Sequence, residues 1–272
     1  MQPSFKTGYA KNASESANPQ LWRGLVGAWM PSFGVTGGTL RDVSGRKHNG
    51  TLANMDLSTD WQTSGGGWCL DFDGVDDFVS CSGIKELNNT NELTVCYWCK
   101  KLASNKRALV GSQISGTDGF WLQWESNDRI YWNPRNGWSY TNEYVLNYTS
   151  EWFFLCGTYN GRLGSNGLKA FANGKKLTPI SPLTPPSALS PSVGNIFEIG
   201  NLSWVGLYSA AKISNVTLYN RALSSTEIKQ LYLNPAGPFE RKRRRVYAFT
   251  GPEFKAAWAT RSTTIAGVPS GA

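Results

Sequence analysis

Cys69-Leu70-Asp71-Phe72-Asp73-Gly74-Val75-Asp76-Asp77-Phe78-Val79-Ser80 decides the fold class. Leu70 and Phe72 alternate with Asp71 and Asp73, the beat breaks at Gly74, and an apolar rhythm resumes at Phe78 and Val79. Acidic residues two apart share a side only in a strand, so the pattern predicts two short strands meeting at a turn, with Asp73-Gly74 as the turn.

The same grammar runs outward in both directions. Upstream, Leu21 to Trp29 is an apolar run broken by Gly and reads as the first core strand, whereas residues 1–20 show no apolar period and read as an extended arm. Downstream, Leu93 to Cys99, Ala108 to Gly111, Gly119 to Trp124 and Arg129 to Trp132 follow at the spacing of an antiparallel meander. Asn173-Gly174, between Leu168 and Leu177, is the strongest short hairpin signal. Thr178 to Ser192, rich in Pro and Ser, is a loop, and Lys212 to Tyr219 is the last core strand. Ser224 with Glu227 forms a capping box for one short helix, whose apolar face is Ile228, Leu231 and Tyr232 and whose end is Asn234-Pro235. The expected organisation is an arm over 1–20, a domain over 21–235 and a tail over 236–272.

Composition agrees with this reading. In 272 residues there are 29 Gly, 13 Pro, 12 Trp, 11 Tyr and 12 Phe, which favours many short strands and tight turns over helices, and 40% hydrophobic residues supply one substantial core. No apolar run reaches the roughly 20 residues of a membrane helix. The polar start, Met1 to Gln20, lacks the pattern of a secretion signal, and the five Cys are odd in number and lie in apolar runs; both point to synthesis in a reducing cytoplasm.

Several of these segments together carry a resemblance. Gly24 to Trp29, Asp42-Val43-Ser44-Gly45 with His48-Asn49-Gly50-Thr51, Leu70 to Val79, Glu151-Trp152 with Asn173-Gly174-Lys175, and Val216 to Ile228 resemble, in order and spacing, the laminin-G-like group of concanavalin A-like lectin domains. The resemblance spans Leu21 to Tyr232. It implies an all-β, two-sheet antiparallel jelly-roll sandwich, and leaves the ligand to be argued from a site.

Four kinds of site are readable. Glucanases similar to this fold carry Glu-x-Asp-x-x-Glu on one strand, because glycoside hydrolysis uses a paired acid and nucleophile. That motif is absent, Asp71 and Asp73 read as a solvated strand face plus a turn residue, and the expectation is that the protein is not an enzyme. For metal, no cofactor is required by the sequence; calcium is the candidate ion, with Asp42, Asn49 and Asn215 as oxygen ligands and a turn-forming role for Asp42 as the plainer alternative. Cys96 and Cys99 sit three apart on a strand, facing opposite sides, so neither zinc nor redox chemistry is expected of them.

Glycan binding points to Trp138 and Tyr140 in a loop-like stretch, with Asn133 and Arg135 as polar companions, since sugar sites join aromatic faces to oriented polar groups. The fourth site is the tail. Residues 238–272 hold seven Lys and Arg against two Glu, and Arg241, Lys242, Arg243, Arg244 and Arg245 are followed by Tyr247, Phe249, Phe254 and Trp258. Basic residues interleaved with aromatics suit docking on an acidic partner rather than nucleic acid.

Two functions fit. In the first, the chain is a non-enzymatic structural or decorating component of a bacteriophage particle, made in the host cytoplasm, homo-oligomeric, held to other virion proteins through its arms, and displaying a lectin-like domain to host glycans. In the second, it is a carbohydrate-binding module of a bacterial surface or secreted protein. Neither involves a membrane.

Overall fold

Alternating aromatic and β-branched residues lay the chain down as strands throughout this computed structural model, which describes residues 3–242 apart from residues 66, 114, 116–117, 126, 138–141, 148–149 and 192. In chain order the first nine strands are β1 (Leu25–Trp29), β2 (Thr39–Leu40), β3 (Gly50–Ala53), β4 (Trp61–Ser64), β5 (Gly67–Asp73), β6 (Phe78–Ser82), β7 (Glu92–Lys101), β8 (Ala108–Gln113) and β9 (Gly119–Trp124). The rest are β10 (Arg129–Arg135), β11 (Asn142–Val145), β12 (Phe153–Asn160), β13 (Leu168–Ala172), β14 (Lys175–Lys176), β15 (Ile196–Ile199), β16 (Asn201–Leu202), β17 (Leu207–Tyr208) and β18 (Ala210–Tyr219). One α-helix follows, α1 (Ser225–Leu233).

Two antiparallel eight-stranded sheets result. The first runs β14-β13-β12-β7-β18-β5-β4 with β1 also on β18, and the second runs β11-β10-β9-β8-β15-β6-β3-β2. The expected all-β jelly-roll sandwich is therefore present; of the expected meander, Ala108 to Trp132 form β8-β9-β10 and continue into β11, but Leu93 to Cys99 lies in β7 of the first sheet and is not part of it. Asn173 and Gly174 take φ of 49° and 73° between β13 and β14, the positive pair that a two-residue hairpin needs.

Between the sheets lies an aromatic core. Trp29 stacks on Phe197 at 5.0 Å, and Tyr97 of the first sheet donates or shares its hydroxyl with the carbonyls of Ala108 and Leu122 in the second, at 3.2 and 3.1 Å. Trp132, from the second sheet, donates its indole N–H to the Thr158 carbonyl of the first at 2.8 Å.

The deciding stretch behaves differently from the hairpin expected of it. Asp73-Gly74 does turn the chain, but β5 belongs to the first sheet and β6 to the second, so the turn is a crossover rather than a hairpin. Alternation and turn residues are the same in both cases; only the partner of each strand tells them apart. Asp73 Oδ1 accepts the Val75 N–H at 2.7 Å, and Asp77 accepts the Asp73 N–H at 3.0 Å.

A second apolar layer covers the outer face of the first sheet, and it corrects the expected boundaries. Leu21, Phe33, Phe154, Phe171, Tyr219, Ile228, Leu231 and Phe239 pack there with Cys96, while Cys99 faces the interlayer core. Residues 3–20 are not an extended arm awaiting a partner. Phe5 packs edge-on to Phe33 at 5.8 Å, the Ala10 and Ala17 N–H groups donate to the carbonyls of Phe239 and Glu240, and Ser16 is fully buried with its hydroxyl on the Pro238 carbonyl. Leu21-Trp22 forms a 3-10 turn opened by Pro19, so the first strand starts at Leu25. The core likewise continues beyond 235, because Ala236 and Phe239 are buried and Trp22 meets Phe239 edge-on at 5.5 Å. Residues 3–241 belong to one compact unit.

The helix ends as its sequence requires. Ser224 and Glu227 form the capping box, and Arg221 grips Glu227 through two bonds of 3.0 and 2.7 Å. Although burial alone would raise it, these partners hold the Glu227 carboxyl at about 2.

Two outcomes follow. Ending the chain after Pro235 removes Phe239 and the strand-like contacts to residues 10–17, and the product should lose cooperative thermal unfolding, whereas ending it after Arg241 should preserve the melt. Asp77 is buried, and desolvation with the charges of Asp73, Asp60 and Asp76 pushes its carboxyl up to about 6 against its bond from the Asp73 N–H. A raised acid favours the native state while protonated and loses that contribution as pH rises through about 6. Asp77→Asn should thus stabilise by about 1–3 kcal/mol near pH 8 and by nothing near about pH 4, read by denaturant titration.

Candidate functional site

Strand β18 changes partner along its length, and the change opens the site. Its first half, Ala210 to Ile213, pairs with β5, and its second, Val216 to Tyr219, pairs with β1. Ser214 and Asn215 lie between, where the ladder to β7 also slips and Asn215 takes φ of 49°. Asn tolerates that left-handed backbone better than any other residue with a Cβ, which is why a bulge can sit here. With neither β5 nor β1 closing the sheet, a cleft of about 460 Å³ opens on its outer side.

Aromatic side chains wall the cleft. Trp98 points outward because its neighbours on β7, Tyr97 and Cys99, face the interlayer core. Its ring stacks on Tyr232 of α1 at 5.7 Å and 17°, and Phe154 meets both from behind. The Trp98 indole N–H is buried and has no acceptor among the described residues. Trp152 is held by its indole N–H on Ser64 Oγ at 3.1 Å, and Trp68 lines the cleft at 36% exposure.

The polar groups are neutral and converge between the rings. Ser214 donates its hydroxyl to the Trp68 carbonyl at 3.0 Å and lies 3.3 Å from Asn215 Oδ1, and Ser32 and Ser64 line the same cleft. Gly65, at φ of 65°, leaves room for Trp152; a Cβ there would stand 2.8 Å from Nε1. Flat apolar rings set against a few oriented hydroxyl and amide groups form a surface for a sugar, whose C–H face stacks while its hydroxyls bond.

Of the described residues named from sequence as site residues, only Asn215 lies in this cleft, and there as a lining amide rather than beside the other proposed calcium ligands. Asp42 and Asn49 do meet, through the Asp42 N–H on Asn49 Oδ1 at 3.0 Å. The Asp42 carboxylate, however, already accepts four bonds, from the N–H groups of Ala28, Ser44 and His48 and from the Ser44 hydroxyl, which is the work of a turn-forming Asp. Asp73, Asp76 and Asp77 bring ligand atoms within 4.8 Å of one another at the crossover turn, and of the three the sequence reading gave a role only to Asp73, as a turn residue. Asp71 pairs with Lys212 across the strands at 2.6 Å, as a charged strand face does.

Trp138 and Tyr140 lie outside the described residues. Asn133 is buried at 1% exposure on β10, and Arg135 lies over the Trp121 ring at 4.3 Å, so both serve the outer face of the second sheet. In the tail, Arg241 belongs to the domain, bridged to Ser16 and 3.6 Å from Glu15. Lys242 is exposed. Arg243, Arg244, Arg245, Tyr247, Phe249, Phe254 and Trp258 lie outside the described residues.

Sequence reasoning missed Trp68, Trp98, Trp152 and Tyr232. A signal did exist, for Trp98 occupies the outward phase of β7, where a solvated face would carry a polar residue.

Comparison with known proteins gives a consistent picture. A family profile described as the concanavalin A-like lectin/glucanases superfamily, laminin G type, matches residues 73–229. No curated protein matches. Among solved structures, Trypanosoma rangeli sialidase with sialic acid superposes at TM-score 0.54 and 19% identity, over 78% of this chain and 33% of that one. The binding domain of botulinum neurotoxin DC, in complexes with SialylT and with rat synaptotagmin II, gives TM-scores of 0.57 and 0.56 at 12% and 14% identity, over 77% of this chain and 51% of those. The chain thus spans a third to a half of the proteins it matches, and at these identities the likeness establishes the fold.

The sialidases correct one expectation, that the protein is not an enzyme. That expectation rested on the missing acid–nucleophile carboxylates of glucanases. Sialidases depart from that two-carboxylate scheme by using a Tyr nucleophile, so the missing motif does not bear on them.

The cleft geometry itself is testable. Gly65→Ala should push the Trp152 ring off Ser64 into the cleft, costing about 1–3 kcal/mol and altering the near-ultraviolet circular dichroism of the tryptophans, while the sheets persist in the far ultraviolet.

Proposed function

The chain belongs to the concanavalin A-like lectin/glucanase superfamily, and on that premise we propose that it recognises carbohydrate in the aromatic cleft at the partner change of β18. The observation that carries this reading is the convergence of Trp68, Trp98, Trp152 and Tyr232 on the same cleft as Ser64, Ser214 and Asn215. Trp98 and Tyr232 supply a stacked platform, Trp152 the opposing wall, and the hydroxyls and amide the orientation of the sugar.

The likeness to sialidases favours a second reading, in which the domain brings glycan to a cleavage reaction. Release of free sugar from glycans incubated with the protein would support it.

The setting we propose is a bacteriophage particle, with Lys242 to Trp258 docking on neighbouring virion proteins and the domain displayed to host glycans; a bacterial surface or secreted module is the alternative. What supports the particle is the run of basic and aromatic residues after Arg241. Calcium at Asp42 stays outside this proposal, since its carboxylate is already engaged by the protein.

Glycan-array screening followed by titration calorimetry tests the binding reading. Trp98→Ala and Trp152→Ala should each reduce affinity at least a hundredfold, and Asn215→Gly, which keeps the positive φ and removes one amide, about tenfold, or about 1.4 kcal/mol. Unchanged affinity in all three variants would move the site elsewhere.

A further inference from the structure

We propose that the cleft selects uncharged sugar units and discriminates against sialylated and sulfated ones. The inference rests on the glycan reading of the cleft and adds the class of ligand.

Its ground is the chemistry of the lining. The described residues that wall the cleft offer indole, phenol, hydroxyl and amide groups, and no Lys, Arg, His, Asp or Glu is among them. That is notable in a chain with 27 basic and 19 acidic residues and a net charge of +8. The nearest charges on the same strand belong to Lys212, two residues before Ser214, and they are spent: Lys212 holds Asp71 at 2.6 Å and also bonds Gln62.

An anionic sugar would enter this space at a disadvantage on two counts. A carboxylate or sulfate taken out of water needs a cation or several charge-assisted donors, and burying it without them is costly. Trp68, Trp98, Trp152 and Tyr232 also line the space, and wherever an aromatic face meets the ligand its quadrupole attracts the weakly positive C–H face of a pyranose and repels an anion. A neutral ring meets neither penalty. Its hydroxyls can exchange bonds with Ser64, Ser214 and Asn215. The cleft's volume of about 460 Å³ falls in the ordinary range of small-ligand sites.

This separates the chain from the proteins it resembles. Two of the structures compared above hold sialic acid and SialylT, whereas no described residue lining this cleft is a Lys or Arg that could pair with a carboxylate.

The test uses the full chain on an array pairing neutral oligosaccharides with their terminally sialylated and sulfated counterparts, with calorimetry on the best pair at low and high salt. The expected result is binding to neutral glycans, at least a tenfold loss when the terminal unit is sialylated or sulfated, and affinity insensitive to salt. Tighter binding of the charged member, abolished by Trp152→Ala or weakened by Asn215→Gly, would overturn the selectivity while leaving the glycan site standing. Binding to no glycan of either kind, or binding unchanged in both variants, would overturn the glycan reading and the selectivity with it.

Discussion

Trp132 crosses from one sheet to the other, and much of the structure depends on that crossing. Its indole N–H must find an acceptor inside the core, and the Thr158 carbonyl provides it at 2.8 Å. The ring fits because residue 157 is Gly; a Cβ there would lie 2.6 Å from the indole. Tyr97 makes the reciprocal crossing from the first sheet, to Ala108 and Leu122. A core built from aromatics with polar handles fixes the relation of two sheets more narrowly than aliphatic packing does, because each handle left unpaired costs about 1–3 kcal/mol.

With the inner faces fixed, the outer face of the first sheet becomes the place where further structure is added. It is itself apolar, carrying Cys96, Phe154, Phe171 and Tyr219, so it must be covered. The helix α1, the 3-10 turn at Pro19, residues 3–17 and residues 236–240 provide that cover, and together they make a third layer rather than a set of appendages. The cleft opens at the border of this layer, where α1 supplies Tyr232 and the bulge of β18 supplies Asn215.

What was legible in the sequence follows from the range of the interaction involved. Strand alternation, the Asn173-Gly174 turn and the Ser224–Glu227 capping box are settled within a few residues, and each appears as read. The crossover at Asp73-Gly74 was misread because the choice between hairpin and crossover is made by β18 and β15, more than a hundred residues away. The arm and tail were misread for the same reason: residues 3–20 and 236–240 have little pattern alone and become ordered through each other. The aromatic cleft escaped because its walls come from β5, β7, the residue before β12, and α1, and only the sheet order brings them together. The stretch just before Trp138 and Tyr140 is denser in aromatics, but its Trp124 and Trp132 belong to the interlayer core and not to a surface.

The third layer also bears on how the cleft works. Tyr232, Pro235 and Ala236 belong to its wall, and the segment they start is pinned three residues later by Phe239, whose carbonyl accepts the Ala10 N–H. The carbonyl of Pro238 receives both the Trp22 indole N–H and the Ser16 hydroxyl, each at 2.6 Å. One wall of the cleft is therefore held by residues 10–22, although none of the described cleft-lining residues comes from that stretch. A ligand that stacks on the Trp98–Tyr232 platform gains only from the population in which this clasp is closed, so loosening it lowers apparent affinity by the closed fraction without touching the ligand. The segments over residues 3–22 and 236–240 that complete the apolar cover would thus preorganise the proposed binding surface, linking the stability of the outer layer to affinity at the cleft through Tyr232.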